Sequence, residues 1–226
     1  MEIEFSERMF FHPYVGKKYG DPSNMFGGKK ILVVGHNHHC DKINERGLCR
    51  NGCPYCCDEC KKQTVGVIED YLIQIQNKSG FTSEYLKSLQ TFQNFADFLT
   101  NNDKSKSNEA WESIAFYNFA QYAVPKTEKF NSNLRKEYEH SYFAFYQVLR
   151  ELKPDIVLCW SERLVYHRLP NEYWQNSDEI LDDKKGFIGY YDIDGYRSKV
   201  IAMRHPSMRF SPQIWHDKIF PIMGLK

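Results

Sequence analysis

The sequence predicts an α/β fold: a short, mainly parallel central sheet with helices on both sides, a three-layer α/β/α sandwich. Two patterns carry this expectation. Short apolar runs rich in β-branched residues end in Gly or a polar side chain, as in Ile31-Leu32-Val33-Val34-Gly35, and they alternate with longer segments whose apolar residues recur at helical spacing. Lys153-Pro154-Asp155 then punctuates the chain sharply between a helical pattern and an apolar run, as a helix stop before a strand would.

Gly27-Gly28-Lys29-Lys30 breaks the chain and leads into the first strand, 31–35, whose continuous apolar character fits burial on both faces. A cysteine-rich loop follows at about 40–60, and Val65 to Gln76 and Ser83 to Leu99 read as helices, with Ser83 as an N-cap. Residues 101–108 are polar and turn-like, and 113–118 reads as a second strand ending in Asn118. An amphipathic helix is expected over 133–152, a third strand over 155–160, and a short helix over 162–169. Strands are expected at 186–191 and 198–203, joined through the Ile193-Asp194-Gly195 turn, before a last helix over 212–219. No repeat or low-complexity tract divides the chain, so 1–226 reads as one domain with the cysteine loop inserted after its first strand.

With 42% hydrophobic, 15% aromatic and 26% charged residues among 226, the chain has the composition of a folded globular protein, which excludes wholesale disorder, collagen and coiled coil. Thirty basic residues against 29 acidic ones give a net charge of +1, too little to coat nucleic acid by bulk electrostatics but compatible with a local basic groove. No apolar stretch is long enough for a membrane span, and Met1-Glu2-Ile3-Glu4 does not open like a signal peptide. A cytoplasmic monomer without a membrane partner is expected.

Of 7 cysteines, all but Cys159 lie between positions 40 and 60. In a chain without an export signal, such clustering reads as a metal site before it reads as disulfides. Cys53 and Cys56, then Cys57 and Cys60, form two Cys-x2-Cys pairs, a spacing that lets two thiolates reach one tetrahedral ion. Four of Cys49, Cys53, Cys56, Cys57 and Cys60 are expected to hold a structural zinc, with a 4Fe-4S cluster as the alternative and metal-free thiols as the third reading.

Parallel sheets place ligands at the C-terminal ends of their strands, so four patches are brought to one edge. They are Gly35-His36-Asn37-His38-His39-Cys40, Tyr117-Asn118-Phe119-Ala120-Gln121, Cys159-Trp160-Ser161 and Arg204-His205-Pro206-Ser207-Met208-Arg209-Phe210. In order and approximate spacing they resemble the uracil-DNA glycosylase superfamily over roughly positions 29–216: a strand running into a Gly-x-Asn loop, a second strand ending in Asn, a Pro-Asp-hydrophobic third strand at 153–157, and a His-Pro-Ser loop near the C-terminus. The resemblance implies a DNA partner and an excised base. It gives Asn37 the water-holding role and His205 the hydrogen bond to the departing base, and it gives Asn118 the base-reading role, for which an amide carries donors and an acceptor. Ser207 is then a phosphate ligand, and Met208, Arg209 and Phe210 follow as wedge and phosphate contacts, although Met208 and Phe210 also suit a core. His36, His38 and His39 line the base pocket, Trp160 reads as core, and Tyr14, Tyr55 and Phe119 are candidates for the stacking aromatic. Asn37 stands where a carboxylate would be the stronger base, which points away from ordinary uracil and toward a mismatched or modified base. Hydroxymethyl- or glucosyl-cytosine is one such target, in defence against phages with modified DNA.

Two other readings stay open. His36, His38, His39 and Asp41 resemble the clusters of metal-dependent hydrolases, in which bound metal generates hydroxide at neutral pH. The missing carboxylate equally suits a DNA-binding module that has lost its chemistry.

Overall fold

The computed structural model describes residues 9–39, 61–77, 83–124, 135–161, 164–165, 169–179, 187–207 and 209–225. Nine strands and five helices of four residues or more are defined among them: β1 (Tyr14–Val15), β2 (Ile31–Gly35), β3 (His38–His39), α1 (Gln63–Asn77), α2 (Ser83–Leu99), α3 (Ser107–Glu112), β4 (Ile114–Asn118), β5 (Ala123–Val124), α4 (Arg135–Leu152), β6 (Ile156–Trp160), β7 (Trp174–Asn176), β8 (Phe187–Ile193), β9 (Tyr196–Met203) and α5 (Pro212–Ile222).

Seven strands form one mixed sheet in the order β1-β4-β2-β6-β9-β8-β7. The central four are parallel, while β1, β8 and β7 pair antiparallel at the flanks. All five residues of β2, β4 and β6 are buried, which is why their sequences are continuously apolar rather than alternating. Side chains of successive strand residues nonetheless point to opposite faces, and the two faces have separate cores. Ile31, Val33, Phe116, Leu158, Trp160 and Met203 face one core with α1, α2, α3 and α5. Leu32, Val34, Tyr117, Val157, Cys159 and Ala202 face the other, with Phe145, Val148 and Leu149 of α4. Burying such a side chain contributes roughly 1.5–3 kcal/mol each.

From β2 the chain reaches β4 through the helices of the first face, then passes through α4 on the second face to β6 on the far side of β2. That reversal opens a crevice at the C-terminal end of β2, where ligands of open α/β sheets bind.

Several expectations shift in detail. The segment 101–108 is not simply a turn: Asp103 Oδ1 accepts from the Ser105 amide at 3.1 Å and caps a 3-10 turn at Lys104–Lys106 that runs directly into α3. The helix expected from Ser83 is found as α2, Ser83–Leu99. Asp194 and Gly195 both have positive φ (52° and 77°), the geometry a two-residue hairpin of matching twist demands, and the flanking strands extend to Ile193 and Tyr196. Of the short helix expected over 162–169, Leu164 and Val165 are helical, and the rest apart from Leu169 lies outside the described residues. No described helix is long and apolar enough to cross a membrane.

Gly66 lies inside α1, where a Cβ would meet nothing within 4 Å. Gly66→Ala is expected to stabilise the protein by about 0.5–1 kcal/mol, since glycine loses more backbone freedom in a helix. Thermal denaturation followed by circular dichroism checks this, at roughly 2–4 °C per kcal/mol for a chain of this size.

Candidate functional site

Alternation along the strands builds the site. Gly35, Phe116, Asn118 and Trp160 project to the face that carries α2, and just beyond the strand ends the chain leaves the sheet and opens a cavity of about 390 Å³. His36 and Asn37 enter it from the end of β2, Asn118 from β4, Trp160 and Ser161 from β6, and His205 from the loop after β9. Helix α2 closes it with Thr91 and Phe92. Four of the predicted residues, His36, Asn37, Asn118 and His205, thus share one cavity.

The walls are aromatic. Phe92, Phe116 and Trp160 pack mutually with ring centroids 4.9–5.9 Å apart, and His205 stands edge-on to Trp160 at 5.6 Å. Trp160 is therefore both core and cavity wall. Its contact with His205 and the surrounding protein partly strip water from the imidazole, although the residue as a whole is exposed, and this desolvation lowers its pKa below 6.5. The ring is neutral at pH 7, with one N–H to donate.

Asn37 donates from Nδ2 to the His38 carbonyl at 3.1 Å, which leaves Oδ1 as the acceptor end of its amide. Asn118 is only 8% exposed, and its Nδ2 lies 3.2–3.3 Å from the ring nitrogens of His38. Its Oδ1 lies over the Cα of Gly35: a Cβ built there would come within 2.2 Å of that oxygen. The glycine that ends β2 is thus required by the amide that ends β4, its register partner.

His38 does not line the cavity as expected. It is buried behind Asn118, its Nε2 lies 2.8 Å from Thr64 Oγ1 on α1, and its ring packs on Phe11 at 4.4 Å. Phe119 is also not at the base pocket: one residue past Asn118 in the opposite phase, it is fully buried in the other core against Phe145. Tyr14 is likewise a core residue of β1. Phe210 is half-buried, stacked on Trp215 with an interplanar angle of 5° and packed against Phe98.

The His-Pro-Ser loop is pinned by a residue the sequence did not flag. Asn94 of α2 donates from Nδ2 to the Pro206 carbonyl at 3.0 Å and, more weakly, to that of Ser207 at 3.5 Å. Its i+3 spacing from Thr91 was the available signal. Arg209, at the exposed tip, has φ 66°, a conformation costly for a β-carbon-bearing residue.

No family model matches this chain, and no curated protein matches it.

The side chain of His39 and all of Tyr55, Asp41, Met208, Cys40, Cys49, Cys53, Cys56, Cys57 and Cys60 lie outside the described residues. Among the described residues no group of three His, Cys, Asp or Glu is placed to hold a metal ion. Cys159 is a free thiol sealed in the core, and burial pushes its pKa up.

Proposed function

We propose that the protein is a divergent DNA glycosylase related to the uracil-DNA glycosylase superfamily. The observation that carries this reading is the convergence of Asn37, Asn118 and His205 on one aromatic-walled cavity at the C-terminal edge of parallel strands. Helices on both faces of the sheet fit the three-layer arrangement expected of that superfamily. The cavity volume lies within the roughly 300–1,000 Å³ usual for small-ligand sites, and its flat aromatic walls suit an extruded base.

In this reading Asn118 contacts the edge of the flipped base. The bond between C1′ and the base nitrogen breaks with its electron pair going to the base, and His205 donates a hydrogen bond to the base oxygen on which charge accumulates. Water held by Asn37 Oδ1 adds its hydroxyl to C1′, its remaining proton ends on the released base, and an abasic sugar is left. Ser207 and the exposed Arg209, which follow His205 in the chain, serve as phosphate contacts in this reading.

Abasic-site formation tests the proposal. Duplex and single-stranded DNAs containing uracil, mismatched thymine, or hydroxymethylated or glucosylated cytosine are incubated with the protein and with Asn37→Ala, and strand scission after alkali is read. Release of one base, strongly reduced in the variant, is expected, and a modified cytosine as the preferred target would support a role in phage defence. One observation favours a second reading, the non-catalytic DNA module: among the described residues, none lining the cavity is a carboxylate. Tight DNA binding with no base released from any substrate would establish that alternative.

The cysteines of segment 40–60 form a thiolate-rich donor set suited to a structural zinc, with a 4Fe-4S cluster as the alternative. Elemental analysis is expected to find about one zinc per chain, and removal with a chelator is expected to lower Tm, because binding energy at such a site is folding energy. A metal-free preparation with unchanged Tm would exclude a structural metal.

A further inference from the structure

One face of α2 reaches three parts of the site. Thr91 and Phe92 line the cavity, and Asn94, Phe95 and Phe98 follow Thr91 at i+3, i+4 and i+7, the spacing of one helix face. Phe95 packs edge-on to Trp160 at 5.1 Å, the ring that His205 also meets edge-on, and Phe98 meets Phe210 at 6.3 Å. Asn94 holds the loop after β9. Its Nδ2 faces two carbonyl oxygens, those of Pro206 and Ser207. Carbonyls only accept, so the amide must present its N–H groups there, and Oδ1 is left to accept from Gln90 Nε2 at 2.8 Å. The loop's own bonds are local: the Ser207 amide donates to the His205 carbonyl at 2.8 Å, and the Phe210 amide to the Ser207 carbonyl at 3.1 Å. Among the described residues, Asn94 alone hydrogen-bonds residues 204–209 from another element.

We infer that Asn94 is a positioning residue: by holding the Pro206 and Ser207 carbonyls it fixes the backbone directly after His205 and keeps that imidazole in the cavity beside Trp160. Pro206 makes the hold effective. It is buried, its ring fixes its own φ, and it restricts His205 before it to extended backbone, so a clamp on its carbonyl reaches the histidine with little slack. The catalytic consequence rests on the glycosylase reading, in which His205 donates to the departing base. Misplacing such a group by about 1 Å costs about 100-fold in rate.

Two measurements on the full chain separate the positioning role from the reading beneath it. The first follows the His205 ring by NMR in the unaltered protein, Asn94→Leu and Asn94→Asp. Leu is neutral, similar in size and a good helix former, while Asp keeps the shape and the bond from Gln90 but turns an acceptor to the two carbonyls. In the unaltered protein the ring protons should be displaced by the Trp160 ring current and should titrate below 6.5. In both variants they should shift toward the positions of a free histidine, and in Asn94→Leu the midpoint should rise toward 6.5. The second is single-turnover base release, expected to fall about ten- to 100-fold in either variant. Because Asn94 acts through His205, the same substitution made in His205→Ala should lower the remaining rate by about two-fold or less. A merely structural role would give the same loss in both backgrounds, and that outcome would overturn the inference. So would His205 signals unchanged in both variants. Signals that move as expected in a protein that releases no base would uphold the positioning role and overturn the assignment of His205 to base release.

Discussion

His205→Ala is expected to lower the rate of base release by about 100- to 1,000-fold, the usual consequence of deleting one donor to a developing anion. The loss should fall on the chemical step rather than on DNA affinity, because the charge that His205 stabilises exists only as the bond breaks. Single-turnover kinetics on the accepted substrate measure this directly, and a variant retaining more than about one-third of the rate would remove His205 from the mechanism. Its pH behaviour gives an independent check. Desolvation beside Trp160 holds the folded-state pKa below 6.5, so the neutral donor is present throughout the range above that value and activity should be level there. For stability the sign is the following. Below pH 6.5 the unfolded chain takes up a proton that the folded site resists, so folding is favoured less as pH falls. His205→Ala removes that contribution. Its Tm relative to the unaltered protein should therefore rise between pH 7 and pH 5, and a constant difference would show that the ring is not desolvated.

Gly35→Ala should be the most damaging single methyl group in the site. The new Cβ would lie 2.2 Å from Asn118 Oδ1 and 3.1 Å from Phe116 Cζ, and both are side chains packed at the buried end of the sheet. Neither can move without cost: the amide is tied to His38, and the ring is wedged between Trp111, Phe92 and Trp160. Overpacking of this kind costs about 1–3 kcal/mol. Turning the amide aside would also abolish base recognition, so both Tm and base release should fall. Gly66→Ala, which adds the same methyl group to open space in α1, is the matched control. Undiminished activity in Gly35→Ala would mean that Asn118 is not the reader of the base.

The parallel centre of the sheet was legible because its strands are buried on both faces and their sequences are apolar without interruption. The ends of those strands were legible for the same reason: Gly35 and Asn118 interrupt such runs. Strands β1, β3, β5 and β7 have two or three residues each, too short to carry any period, and are fixed by their partners instead. The aromatic wall was half legible, since Phe116 is two residues before Asn118 and must share its face, whereas Phe119 cannot. His38 illustrates the other limit. In sequence it is one of a cluster of imidazoles, and its separation from His36 follows only from the turn of the chain into β3 and the arrival of Thr64 from the far side of the cysteine segment.

That arrival has a consequence for how the molecule tolerates change. His38 meets Thr64 at 2.8 Å, and the His12 amide donates to the Lys61 carbonyl at 3.1 Å, so the described residues on both sides of segment 40–60 are held at fixed stations. The closure entropy of whatever joins two fixed stations grows only logarithmically with its length, by about 0.6 kcal/mol for each doubling. A change in the number of residues between 39 and 61 is therefore expected to cost little in closure entropy, provided the anchors and the cysteines proposed to hold the zinc are kept.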